Sequence, residues 1–449
     1  MNVFEQIAIP PTAEHNLLLN IIQIIAFMIY YPFIGMITGG LILSKYFNLK
    51  ARLTNNEMYG RFADDITRKL IFSRAASYGL GFLPVFSIAI VYSQFLYSSS
   101  FAFVSNFTLS VILYFISFVY VNKYKASAKV VSMISSYKAA LGNDIKPPEN
   151  SGQFESTSLQ AKKSNLSLAF YGMLLSAFLF VGGITLSDDM NEWAGFTSTF
   201  MTFINLKVWI NFIFFLVITF AVTGSAIIFF FFNWEGGIKF TEEAYHKFVR
   251  KFSTGFTMLF LALFPLFLIT GIVMQSKDTY SSSVFIFLGL GIFALLLASN
   301  FLYAVLKNSD TKYGTAIFYL VIAAVSFTVI KNQVAFSNSI RPHLAVINHQ
   351  AEEIIQAKFP KKEALAQISG EDIYNGRCSA CHKFDVKLIG PPYQETVPKY
   401  NGDVNKLAQF IYNPVKMNPD YPPMPNQGLK MPEAEAVAKY IIDRVNQKK

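Results

Sequence analysis

Cys378-Ser379-Ala380-Cys381-His382 holds both cysteines of the 449-residue chain. A two-residue gap sets the thiols one helical turn apart, where each can add to one vinyl group of a haem. The adjoining imidazole is then held on the same side as an axial ligand to the iron. A zinc site would need two more ligands, which His382 and a distant histidine could supply only awkwardly. A redox dithiol belongs in a βαβ setting, and the flanking sequence offers none. With both thiols spent on one covalent haem c, no structural disulfide is expected.

Outward from the pentapeptide, Gly370 and Tyr374 precede Cys378, Leu388-Ile389-Gly390-Pro391 follows it, and Tyr440 lies in the last helical stretch. With these residues in place, the sequence from Gly370 onward resembles the class I cytochrome c family. The resemblance implies a small all-α domain, set at residues 368–449, whose first helix packs on its last through Gly370, Tyr374 and Tyr440. It also implies that the Pro391 carbonyl accepts a hydrogen bond from His382 Nδ1, fixing the ring and strengthening it as a ligand. The sixth ligand in that family is a methionine, usually followed by proline and several residues ahead of the final helix. Met424-Pro425 fits best, and Met417 and Met431 stay open. Pro432 reads as the first position of a final helix over Glu433–Val445, which puts Met431 at the cap. A thioether ligand favours ferrous iron and raises the potential, which suits a one-electron carrier and argues against oxygen chemistry at this haem.

Upstream the composition changes class. The whole chain is 53% hydrophobic and only 15% charged, whereas soluble domains carry roughly a quarter charged residues. The net charge of +10 forms no basic stripe with interleaved aromatics, so no nucleic-acid partner is expected. Eight runs are long and apolar enough to cross a bilayer, at about 17–43, 76–97, 102–121, 166–187, 207–232, 254–275, 284–306 and 314–330. Ile227 to Phe232 is apolar all round, which a buried helix of a soluble core need not be. The fold class expected is therefore all-α: an eight-helix membrane domain over 1–330, a polar linker or stalk over 331–367 punctuated by Pro342 and Pro360, and the cytochrome domain.

Loop charge sets an orientation. The gaps 44–75, 122–165, 233–253 and 307–313 hold twenty Lys and Arg, while the opposite gaps hold only Lys277. Basic loops stay in the cytoplasm, so both termini are expected outside. Met1 to His15 lacks a basic n-region and does not read as a signal peptide. Covalent haem is attached on the outer side of the bacterial cytoplasmic membrane, and loop charge places the haem domain there independently, in the periplasm.

The two halves of the membrane region look related. Asn20 and Thr38-Gly39 recur as Asn205 and Thr223-Gly224, Tyr97-Ser98-Ser99-Ser100 recurs as Tyr280-Ser281-Ser282-Ser283, Phe170-Tyr171 is echoed by Phe318-Tyr319, and Pro84 and Pro265 lie inside the second and sixth runs. An even number of crossings per repeat makes the repeats parallel, giving two four-helix bundles. Gly39-Gly40 and Gly182-Gly183 read as close-packing positions.

Besides His382 the chain has only His15, His246, His343 and His349, none well inside a run, so a haem b held by this chain alone is not expected. No charged residue is expected in mid-helix, Lys207 lying at an outer edge. The outside N-terminus, the two bundles and His15 at the mouth of the first helix resemble the large membrane subunits of the cytochrome bd oxidase family. Only His15 falls on a ligand position of that family. Its other intramembrane ligands have no counterpart here, which implies a member that kept the scaffold and lost the oxidase centre. The leading expectation is an electron-transfer subunit docked to other membrane or periplasmic redox subunits of a respiratory or photosynthetic complex. Two rivals are an enzyme that oxidises quinol near His15, or near His343 and His349, and passes electrons to haem c, and a bundle that only anchors the cytochrome in the lipid bilayer.

Overall fold

The computed structural model describes residues 10–141, 151–238, 240, 242–308, 311–358, 369–419 and 421–447, and among them it has helices and loops but no strand. The chain divides into two compact units, Met1–Glu353 and Ile354–Lys449. The expected junction at 367/368, Pro360 and most of Met1 to His15 lie outside the described residues.

The first unit is built from α1 (Ala13–Thr54), α2 (Glu57–Leu70), α3 (Arg74–Phe95, with a π turn over Ser77–Phe82), α4 (Phe101–Leu141), α5 (Ser151–Ser187), α6 (Leu206–Ile228), α7 (Glu243–Val273), α8 (Ser282–Asn308) and α9 (Gly314–Ser339), with α10 (Arg341–Lys358) running on from it. All of these except α2 and α10 are long and apolar enough to cross a membrane, eight among the described residues, as the hydropathy runs require. The chain is a multi-pass membrane protein. Its helices start where the sequence supplies caps: Thr12 Oγ1 accepts from His15 N–H at 3.3 Å ahead of α1, and Asn205 Oδ1 accepts from Lys207 and Val208 N–H ahead of α6. The π turn of α3 ends at Leu83, so Pro84 enters at the first turn of the regular helix, where its missing N–H costs little.

Two buried cores run through this unit. One gathers Tyr30, Tyr92, Tyr114 and Phe180 from α1, α3, α4 and α5, and the other Phe62, Phe231, Phe264, Ala298 and Val321 from α2 and the segments α6 to α9. Helix α1 feeds both, through Phe33 and Phe47. Lipid supplies little hydrophobic drive between helices, so close packing and hydrogen bonds carry the association. Tyr30 and Tyr114 share a 2.8 Å hydroxyl pair. A side chain on Gly39 would overlap the Thr223 hydroxyl, and one on Gly182 would overlap the Thr202 methyl. Thr223 Oγ1 donates to Gly35 O at 3.1 Å and to Thr219 O at 2.7 Å, so α1 and α6 cross at the echoed Thr-Gly positions. The echo is not uniform: Asn205 caps α6, whereas Asn20 lies within α1 and accepts from Ser337 Oγ at 3.2 Å.

The polar stretch from Lys331 does not leave the unit as a stalk. Helix α9 continues to Ser339 and buries Lys331, Gln333, Ala335, Phe336 and Ser339, and α10 buries Ile347 and Ala351. Asn16 Nδ2 donates to Asn348 Oδ1 at 2.6 Å. The misreading came from composition: Lys331, Asn332 and Gln333 look like a linker, yet the spacing of Lys331, Ala335 and Ser339 continues one helical face. Lys331 is also a charge inside a spanning helix, only 2% exposed, against the expectation of none. The basic gaps are likewise more ordered than expected. Within them α2 presents Asp65 to Tyr245 Oη and Arg68 Nη2, both at 2.6 Å, and Lys162 Nζ pairs with Asp64 at 2.6 Å.

Candidate haem crevice in the C-terminal unit

The C-terminal unit is held by α11 (Gly370–Ile373, extended by a π turn over Tyr374–Cys378), α12 (Val404–Tyr412) and α13 (Met431–Gln447). Ser369 Oγ accepts from Asp372 N–H at 3.1 Å to start α11, and Asp403 caps α12. Helix α13 begins at Met431, with Pro432 in its first turn. The Glu433 carboxylate accepts from Lys430 N–H at 2.7 Å. A side chain on Gly370 would overlap the Ala436 carbonyl, so glycine lets α11 press directly on α13. Tyr374 and Tyr440 meet at 5.7 Å between ring centroids, and the Tyr440 hydroxyl reaches Glu371 at 3.4 Å. Leu407, Ile411, Val437, Ala438 and Ile441 fill the core between α12 and α13.

The π turn ends at Cys378, which is buried, and the turn that follows carries Cys381 to the same cavity as His382. This cavity is about 540 Å³, and its lining includes Pro391, Tyr393, Leu407, Ile411, Met417 and Met424. His382 Nδ1 lies 3.0 Å from Pro391 O, its ring stacks on Tyr393 at 5.1 Å, and a side chain on Gly390 would overlap the imidazole. Burial pushes the Cys378 thiol up, the opposite of the lowered value that a reactive dithiol needs. Two adjacent thiols, an oriented imidazole and an apolar slot with a thioether on its wall form a donor set that fits a covalent haem.

The three methionines separate. Met431 opens α13 and is not on the cavity wall. Met417 is on the wall but 71% exposed, with the Tyr400 hydroxyl donating toward its sulfur at 4.0 Å. Met424 is on the wall and half-buried. Two features were missed from sequence. Arg377 Nη1 donates to Gln427 O at 2.6 Å, tying the Met424 loop to the haem motif, and Tyr393 backs the imidazole. The only sequence signal was an arginine directly before the first cysteine.

The other histidines do not gather. His15 is exposed, and His349 is an exposed partner of Glu353 at 3.4 Å. His246 sits against Phe232 and Phe240. His343 packs edge-on to Trp193 at 4.8 Å, and burial lowers its pKa, so it belongs to the folded unit rather than to an exposed stalk.

The family model described as cytochrome c matches residues 368–443. The chain is similar to cytochrome c-551 of Pseudomonas aeruginosa, 33% identical over 16% of this chain and 70% of that protein. It is also similar to cytochrome c-551 of Azotobacter vinelandii, 32% identical over 16% of this chain and 95% of that protein, and of Pseudomonas denitrificans, 33% identical over the same shares. No solved structure matches the chain significantly.

Proposed function

This chain belongs to the cytochrome c family through residues 368–443, and on that premise we propose that it is a membrane-anchored monohaem electron-transfer subunit of a larger redox complex. Membership implies covalent haem c and electron transfer, and the eight apolar helices put the carrier on a bilayer. In this reading Cys378 and Cys381 would hold the haem as thioethers, His382 and Met424 would ligate its iron, and the Pro391 carbonyl fixes the His382 ring. The observation that carries it is the convergence of Cys378, Cys381, His382 and Met424 on one cavity, with His382 Nδ1 on Pro391 O at 3.0 Å.

The haem supplies reversible one-electron chemistry, and the protein's part is to hold it closed. Apolar walls from Leu407 and Ile411 exclude water, and the Pro391 carbonyl keeps the imidazole in one tautomer and one orientation. Arg377 restrains the loop carrying Met424. Loop charge assigns this domain to the periplasmic side of a bacterial cytoplasmic membrane. Eight helices exceed what tethering needs, which favours docking to partner subunits over a bare anchor. Purification in mild detergent tests this: the chain should come out with haem-bearing or other redox subunits, and a lone monomer would contradict it.

A further inference from the structure

Helices α4 and α5 run on well past their apolar stretches, at the end of the unit that carries the basic loops. The base of this arm is fixed. Tyr124 and Thr67 share a 2.9 Å hydroxyl pair, Lys125 Nζ donates to the Ile71 and Phe72 carbonyls, and Lys162 pairs with Asp64 at 2.6 Å. Further out the two helices hold each other: Asn165 Nδ2 donates to Ser127 Oγ at 3.0 Å, and Lys138 pairs with Glu155. Ser127, Val131, Ile134 and Lys138 thus form the seam of α4 toward α5, at steps of four, three and four residues.

The arm carries its larger apolar groups on the outside. Ala126, Val130, Met133 and Tyr137 are all exposed, Met133 57% and Tyr137 55%, and they also follow one another at steps of four, three and four. This second stripe lies about a quarter of a turn round α4 from the seam that α5 occupies. Apolar side chains at such spacing are what one helix offers another in a coiled coil. Lipid does not reach them: α4 is one unbroken helix, and Val130 and Tyr137 stand nine and sixteen residues past Val121, where the apolar run ends. That is about 13 and 24 Å along the axis, against a headgroup layer about 5–8 Å deep.

Charge selects the occupant. Residues 122–165 hold seven lysines and three carboxylates, and Lys123 and Lys129 stand beside the stripe. A second copy would bring two positive arms face to face. We infer that the stripe Ala126, Val130, Met133 and Tyr137 docks an amphipathic helix of a partner protein whose apolar face is flanked by Asp and Glu. The apolar contacts hold the helix, and lysine–carboxylate pairs along the edges select it over other helices. The inference rests on the reading that the chain works within a complex, gives the membrane unit a docking surface for it, and needs no haem.

The test is photocross-linking in the membranes of cells that make the protein naturally, with p-benzoylphenylalanine in place of Met133 in the full-length chain and the adduct sequenced by mass spectrometry. A discrete adduct is expected, to a segment with apolar residues at four-three spacing and acidic flanks. Lys129→Glu should cut its yield about tenfold and Val130→Glu should abolish it. Both positions are exposed, so the variants should fold normally, as read from size-exclusion profile and haem content. Lys439→Glu, exposed on the C-terminal unit, should leave the yield unchanged. An adduct to lipid, to a second copy or to a segment without acidic flanks, no adduct at all, or a yield unmoved by Lys129→Glu, each overturns the inference. Haem-bearing subunits that copurify while position 133 gives no adduct sink this inference alone. An acidic partner helix at position 133, with no redox subunit in the purified complex, sinks the electron-transfer reading alone.

Discussion

The two units place their polar groups by different rules. In the C-terminal unit all the groups that matter except Met424 come from neighbouring stretches of chain: Cys378, Cys381 and His382 follow one another within five residues, and Pro391 meets His382 from nine residues away. In the membrane unit Asp188, Lys207, Gln275, Lys331 and Gln333 come from helices far apart in sequence and meet only after packing. A covalent cofactor demands fixed local spacing, so its site is written as a motif. A cavity between helices demands only that each helix turn one polar residue inward, and single residues leave no motif. In how their helices close the two units agree, since small residues bring helices together in both, Gly370 against α13 and Gly39 against Thr223.

The largest effect expected on the haem side is at the sixth ligand. Met424→His should lower the reduction potential by on the order of a hundred millivolts, within the ~0.8 V that axial ligands span, while Met417→Leu and Met431→Leu leave it near the wild-type value. Spectroelectrochemical titration of the three variants decides this, and a large shift in Met417→Leu with none in Met424→His would reassign the ligand.

Next in size is the helix contact. Gly370→Val forces its side chain onto the Ala436 carbonyl and should destabilise the C-terminal unit by about 1–3 kcal/mol, whereas Gly376→Ala, with nothing within 4 Å of the added carbon, should cost far less. Denaturant unfolding followed at the haem absorbance separates the two. Equal losses would mean that α11 does not press on α13 as described.

A smaller effect marks the membrane side. The fold favours the protonated form of Asp188, because burial raises its pKa from 3.8 to about 7. Its contribution to stability is therefore fully present below about pH 4 and is lost as pH rises to about 7. Asp188→Asn should flatten that part of the pH dependence. Thermal unfolding in detergent at pH 5 and pH 8 measures it, and a slope as steep in the variant as in the wild type would remove Asp188 as its source.

Much of the architecture was legible in the sequence, for physical reasons that differ by region. Hydropathy marks a spanning helix because lipid excludes unpaired backbone groups, and the eight runs correspond to eight helices. The class of the C-terminal domain followed from Cys378 to His382 and the flanking Gly370, Tyr374 and Tyr440. What escaped was polar sequence folded into helix: α2, the arms of α4 and α5 beyond their apolar runs, and α9 past residue 330. These segments are amphipathic or internally paired, through Lys162 with Asp64 and Tyr245 with Asp65, and composition alone reads such stretches as loop. The Thr38-Gly39 and Thr223-Gly224 echo was visible in the sequence, but the crossing of α1 on α6 at those residues is a property of packing.

Intact mass spectrometry of the full-length chain, unfolded in acid, tests the covalent haem most directly. One haem should remain attached through Cys378 and Cys381 and add its mass to the polypeptide. A chain at its bare mass, with porphyrin released on unfolding or never present, would contradict the account.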